Sequence, residues 1–163
     1  MKIYIFRHAQ KAMDFSGDPD LTTEGHNQAS TLLDLVLKKE MPQPTQLWVS
    51  PRKRTHSTFR PLSEQFKLPL TNQEDLLEQH GDETLTVFRR RISKILEKAS
   101  DAKDDVVFIC SHYDWVIEAM SLIPSQTDLT DDRFQHWTPC QCVGFEVMSD
   151  GMYKFIELKR IST

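Results

Sequence analysis

Lys2-Ile3-Tyr4-Ile5-Phe6 is a short apolar run rich in β-branched and aromatic residues, with Arg7-His8 directly behind it. Two further runs share its character: Gln46-Leu47-Trp48-Val49, followed by Ser50-Pro51-Arg52-Lys53-Arg54, and Val106-Val107-Phe108-Ile109-Cys110, followed by Ser111-His112. Runs this short and this apolar are expected of strands buried on both faces, as in a parallel sheet covered by helices. Helical patterns lie between them. Ala29, Leu32, Leu33, Val36 and Leu37 recur at helical spacing after Thr22, and Leu85, Phe88, Ile92, Ile95 and Leu96 do so after Asp82. Both stripes are expected core faces. Ser50-Pro51 predicts an N-cap and first-turn proline for a helix running through Phe59, which Pro61 should kink or end. Cys142 to Met148 and Met152 to Leu158 flank Ser149-Asp150-Gly151, predicting two strands joined by an Asp-Gly turn. Asp14 to Asp20, Lys67 to Gly81 and Pro124 to Trp137 are rich in turn-forming residues and read as loops. The order predicts an α/β fold, a three-layer sandwich with a mostly parallel central sheet and a C-terminal antiparallel hairpin at its edge.

With 163 residues the chain is expected to form one domain over residues 1–163, since about 100 to 200 residues make a typical domain. Apolar residues are 39% and charged residues 27%, too hydrophobic a mixture for disorder, and no apolar run approaches the ~18 residues that span a bilayer. Twenty-four acids against 20 Lys and Arg leave a net charge of -4, which speaks against nucleic acid as a partner because that affinity rests on surplus cations. The apolar N-terminal run is too short for a signal-peptide core, so the expected location is cytoplasmic, with no membrane partner. Cys110, Cys140 and Cys142 form no C-x-x-C pair, and the odd count suggests reduced thiols rather than a disulfide framework. His26, His56, His80 and His136 show no ligand spacing, so neither a metal nor another cofactor is expected.

Basic residues stand directly behind each buried run. In a parallel sheet the carboxyl ends of the strands lie on one rim, where ligands bind, so Arg7, His8, Arg54 and His112 are expected to converge although about a hundred residues separate the first from the last. Two arginines and two histidines suit a dianion: guanidinium forks bind phosphate oxygens in pairs, and imidazole can donate, accept or attack. Arg52, Lys53 and Arg54 also crowd the start of a helix with no acid before Glu64. Cations there oppose the helix macrodipole at about 0.3 to 1 kcal/mol each when exposed, a cost that an anion bound at the same place would offset.

These residues also carry a resemblance. Arg7-His8-Ala9-Gln10 resembles the Arg-His-Gly/Ala-Glu/Gln signature of the histidine phosphatase superfamily, which includes the cofactor-dependent phosphoglycerate mutases. Leu21-Thr22 with Gly25 and Gln28-Ala29 resembles its Pro-Leu-Thr-x-x-Gly-x-x-Gln-Ala helix start, and Ser50-Pro51 with Arg54-Thr55 and Thr58 its Ser-x-x-x-Arg-Ala-x-x-Thr segment. Ser111-His112 resembles its late Ser-His. The four motifs stand in the family's order and cover nearly the whole chain. The resemblance implies that His8 is the nucleophile that becomes phosphorylated, with Arg7, Arg54 and His112 binding the phosphoryl group and no metal required.

Two departures bear on activity. The family often continues its late motif with glycines, where this chain has Tyr113-Asp114, placing a bulky ring beside the expected pocket. The mutases carry long insertions over their sites, whereas little chain is available between Arg54 and His112 for a lid. In length the protein is similar to the short phosphohistidine phosphatases of the SixA type, whose open sites accept protein substrates. The family commonly takes a general acid from a glutamate between the second and third motifs. Glu78, in a loop before a helix, is preferred, while Glu83 has a ready explanation as a helix-start acid, and Asp18 and Asp20 remain candidates. Arg89-Arg90-Arg91 reads as solvated helix surface. The expected function is a phosphatase with a covalent phosphohistidine intermediate acting on protein phosphohistidine. The rivals are a phosphomonoesterase of small phosphate esters and a phosphate-binding protein that does not turn over.

Overall fold

The structure, a computed structural model, describes residues 1–103 and 105–163. Among them, β1 (Lys2–Arg7) pairs in parallel with β4 (Val106–Ser111), β4 with β2 (Gln46–Val49), and β2 with the short β3 (Leu70–Asn72). On the other side β1 pairs antiparallel with β5 (Cys142–Val147), and β5 with the edge strand β6 (Tyr153–Lys159), giving the order β3-β2-β4-β1-β5-β6. The alternation of side chains along β1 explains the layers. Ile3 and Ile5 face one cluster with Trp48, Val107, Ile109 and Phe145, covered by α3 (Leu85–Ser100) and α4 (Tyr113–Leu122). Tyr4 and Phe6 face the other with Leu47, Val49, Phe108 and Cys110, covered by α1 (Thr23–Leu37) and α2 (Lys53–Phe66). This is the mostly parallel three-layer sandwich with a hairpin at its edge.

Helix α1 starts where the sequence places it: Thr22 is the N-cap, and its hydroxyl accepts from the Gly25 amide. Its buried stripe is Ala29, Leu32 and Val36, while Leu37, the last residue of the helix, is exposed. Leu85, the first residue of α3, is likewise exposed, and the buried stripe there begins at Phe88. The hairpin turn at Ser149-Asp150-Gly151 needs its glycine, which has a φ of +85°.

Two expectations at α2 need correction. Ser50-Pro51 does not open the helix. Arg52 is the N-cap, with extended backbone and no side-chain capping bond, because the Ser50 hydroxyl is engaged by Thr55 and His112 instead. Pro61 does not end the helix either, since α2 continues to Phe66. Proline forfeits one backbone bond there, and burial of Phe59 and Leu62 beside it holds the helix through the defect. The passage Lys67 to Gly81 is also more than a loop: it contains β3 and a single 3-10 turn, Glu74–Leu76.

Candidate active site

The carboxyl ends of β1, β2 and β4 share one rim, and they bring His8, Arg54 and His112 into direct contact. The His8 and His112 rings lie 5.3 Å apart, edge to face. His8 Nδ1 is 2.7 Å from the Ala9 carbonyl oxygen, which can only accept, so Nδ1 carries the proton and donates. That leaves a lone pair on Nε2, and Arg54 Nε donates to it at 3.3 Å. His112 Nε2 is 2.8 Å from the Ser50 hydroxyl, and its Nδ1 is 3.2 Å from Arg54 Nη2 and 3.1 Å from Glu78 Oε2. With Ser50 donating to Nε2, the proton of His112 sits on Nδ1, facing Glu78 and Arg54.

Burial sets the charge state of both rings. It pushes His8 down to about 3, with His112, Arg54 and Arg7 adding repulsion and the Ala9 carbonyl acting in the opposite sense. Burial likewise pushes His112 down to about 3, reinforced by Arg54, Arg52, Lys11 and Arg7. The imidazoles are therefore neutral at physiological pH, the form that can attack. Burial lowers Arg7 and Arg54 from the ordinary guanidinium value, and both remain cations.

Arg7 stands slightly apart. Its Nη1 donates to the Trp137 carbonyl at 2.5 Å, and its guanidinium lies 5.2 Å from the centre of the Tyr113 ring. Its Nε is buried without a hydrogen-bond partner among the described residues, which leaves a donor for a ligand. Tyr113, in the place where the family often has glycine, thus covers an arginine face, and its hydroxyl donates to the Gln135 carbonyl at 3.2 Å.

Residues shared with the motifs hold this arrangement rigid. Thr58 accepts from the Ala9 amide at 3.0 Å and donates to the Arg54 carbonyl at 2.7 Å, tying the first motif to α2. Gln28 accepts from the Gln10 amide at 2.9 Å, and Gly25 is required because a Cβ there would lie 2.2 Å from the Gln10 carbonyl oxygen. Ser111 donates to the Leu76 carbonyl at 2.7 Å, anchoring the approach to Glu78.

Glu78 is the carboxylate at the centre of the site. Its Oε1 accepts from Arg52 Nε at 2.8 Å and Arg52 Nη2 at 2.5 Å, and its Oε2 from Arg54 Nη2 at 3.0 Å. Asp18 lies at the rim, 3.8 Å from Arg54 and accepting from the Lys53 amide at 3.2 Å. Together Glu78 and Asp18 supply the negative charge that the basic start of α2 lacks. Asp20 turns inward on its own loop, accepting from the Leu21 amide. Glu83 is not a helix-start acid: it precedes Thr84, the N-cap of α3, and its partly buried carboxylate is bound by Arg91 at 2.7 and 2.8 Å.

Arg91 is the residue that the sequence pattern conceals. Far from being solvated, its guanidinium also donates to the carbonyls of Asp75, Leu77 and Glu78, so it moulds the loop that presents Glu78. Glu83 holds Arg91 above its ordinary value, and Arg91 holds Glu83 below the usual carboxylate range. Arg89 pairs with Glu118, and Arg90 is exposed. Trp115 Nε1 adds a bond to the Asp75 carbonyl, and Asp114 accepts from the Gln79 amide. Arg52 was legible only as one of three cations at a helix start; its partner lies far along the chain.

Comparison with known proteins agrees with this architecture. Residues 3–82 match the model of the histidine phosphatase superfamily (branch 1). No curated protein matches the chain. Among solved structures, the protein histidine phosphatase SixA complexed with tungstate is similar at a TM-score of 0.75 and 19% identity, covering 99% of this chain and 97% of that one. A phosphoserine phosphatase from Entamoeba histolytica, in complex with phosphoserine, has a TM-score of 0.72 at 12% identity, covering 96% and 95%. A mycobacterial glucosyl-3-phosphoglycerate phosphatase with inorganic phosphate has a TM-score of 0.69 at 14% identity, covering 99% and 97%. At these identities the likeness is one of fold. The chain thus resembles the histidine phosphatase superfamily over residues 3–82 and shares its fold along nearly its whole length with these solved phosphatases.

Proposed function

We propose that the chain is a phosphatase that transfers a phosphoryl group to His8 Nε2 and then to water, with protein phosphohistidine as its substrate. The observation that carries the reading is the tautomer of His8. A buried imidazole with Nδ1 committed to a backbone carbonyl presents a lone pair on Nε2 into a pocket of cationic and N–H donors. Arg54, His112 through Nδ1, and Arg7 through its unpartnered Nε take the phosphoryl oxygens as charge redistributes in the transition state. In that role the dianion replaces Glu78 as the acceptor for Arg54 and His112. His8 attacks phosphorus opposite the leaving group, and the bond to the Ala9 carbonyl stabilises the ring as it gains positive charge. No step requires a metal.

Glu78 is the group positioned to give a proton to an ester leaving group. Phosphohistidine needs that proton less. When its second ring nitrogen is protonated from solvent, the leaving imidazole departs neutral, whereas an alkoxide departs poorly without an acid. Exposure of the Glu78 and Arg52 side chains, 28% and 32%, leaves the mouth reachable by a residue presented on another protein.

The deciding experiment compares kcat/KM for a histidine-phosphorylated protein, phosphoserine, sugar phosphates and nucleotides, with and without excess EDTA. The expected result is fastest turnover of phosphohistidine and no effect of the chelator. Faster cleavage of a small ester would assign a phosphomonoesterase instead, loss of activity on chelation a metallohydrolase, and phosphate binding without turnover a non-catalytic member of the fold.

A further inference from the structure

Arg52 does not touch His8, yet it makes the shortest contact to Glu78. Its fork grips Oε1 through Nε and Nη2, while Oε2 is shared by Arg54 and His112. Both oxygens of Glu78 thus face N–H donors, Oε1 those of Arg52 and Oε2 those of Arg54 and His112. The two sides of the carboxylate differ once substrate enters. In the proposed reaction Arg54 and His112 would turn to the phosphoryl oxygens and release Oε2, while Arg52, which does not touch His8, would keep Oε1.

Stability does not account for this grip. Both partners are partly exposed, where an ion pair contributes little, and a cation at the N-cap of α2 opposes the helix dipole. Resting on the phosphatase reading above, we propose that Arg52 is a specificity-setting positioning residue that holds Glu78 as an acceptor and so biases the site toward phosphoramidate substrates over alkyl phosphates.

The proton balance separates the two substrate classes. With protonated phosphohistidine, the substrate P–N bond breaks with its electron pair going to the leaving nitrogen, a new P–N bond forms to His8 Nε2, and neutral imidazole departs. Water then attacks phosphorus, the bond to His8 breaks back to neutral imidazole, and dihydrogen phosphate carries away both protons of the water. An alkyl ester differs in its proton path: the P–O bond breaks with its pair on an alkoxide oxygen, which must take a proton from the Glu78 carboxyl, and Glu78 regains a proton from the attacking water so that monohydrogen phosphate leaves. Arg52 hinders this proton path and no step of phosphohistidine cleavage.

The test uses the full chain with Arg52 wild type, Arg52→Met, Arg52→Lys and the double variant Arg52→Met/Glu78→Gln, each assayed on a histidine-phosphorylated protein and on β-glycerophosphate. Arg52→Met should raise kcat for β-glycerophosphate by ~10-fold or more, within the range of a positioned acid, and leave phosphohistidine turnover within about threefold. Arg52→Lys, which keeps the charge but loses the fork, should fall between, and the double variant should lose the gain. An unchanged ratio between substrates in an active Arg52→Met enzyme, or a gain that survives Glu78→Gln, would overturn the role of Arg52 while leaving the phosphatase reading intact. Absence of phosphate release from either substrate by the wild type would instead overturn that reading, and this proposal with it.

Discussion

At the scale of single residues, the site works by holding two imidazoles neutral among cations. Arg52 and Arg54 crowd these rings, and Glu78 acts as an internal anion that accepts from Arg54 and from His112 Nδ1. Arg54 is the hub. It donates to His8 and Glu78 at once and lies 3.2 Å from His112 Nδ1, so in the proposed reaction it both orders His8 and receives the phosphoryl oxygens. Arg54→Ala should therefore lower kcat/KM by at least ~10²-fold, the typical cost of removing one transition-state donor. A loss confined to KM would mean that Arg54 binds substrate and transition state equally.

At the scale of elements, the loop from Asp75 to Glu83 is shaped by α3 and α4 more than by its own sequence. Arg91 satisfies three of its carbonyls and neutralises Glu83, whose carboxylate is partly buried. Arg91→Met should cost about 1 to 3 kcal/mol of stability, because it leaves a partly buried carboxylate and three loop carbonyls without their donor, and Arg91→Met/Glu83→Gln should recover part of it. Chemical denaturation of the two variants measures both numbers; equal stabilities would show that the pair is not coupled. This loop is also where the sequence was least legible. Three consecutive arginines look like a solvated face, and only the fold shows that one of them turns inward. β3 escaped for a different reason: it is three residues long, with Thr71 and Asn72 exposed, too short for any period to register. The start of α2 misled because Ser50-Pro51 has the right chemistry for a cap, and the competing demand of His112 for the Ser50 hydroxyl is a tertiary contact. By contrast β1, β2 and β4 were readable because burial on both faces forces continuous apolar runs, and their shared parallel direction puts Arg7, His8, Arg54 and His112 on one rim. Lys2, Ile3, Ile5 and Phe6 pair with residues more than a hundred positions away, but that pairing only had to be parallel for the rim to form.

For the whole molecule, the buried histidines couple the site to stability. A histidine unfolded has a pKa near 6.5, whereas His8 and His112 are held at about 3 in the fold. Between these values the unfolded chain binds more protons than the folded one, so stability is fully present above about 6.5 and is lost as the pH falls toward 3. Thermal melts should show the midpoint dropping steadily from pH 7 to pH 4, with a smaller drop in a His112→Gln variant. A midpoint equally acid-sensitive in that variant would locate the effect elsewhere. No helix among the described residues is long and apolar enough to cross a membrane.

The claim on which the rest depends is that His8 accepts the phosphoryl group, and intact-mass analysis tests it most directly. Protein mixed briefly with a histidine-phosphorylated substrate and quenched in alkali should gain the mass of one phosphoryl group, stable to base and lost in acid, mapping to His8. The same treatment of His8→Ala should show no gain. Phosphorylation of His8→Ala at the wild-type level, or rapid wild-type turnover with no trace of a phosphorylated species on His8, would contradict the account.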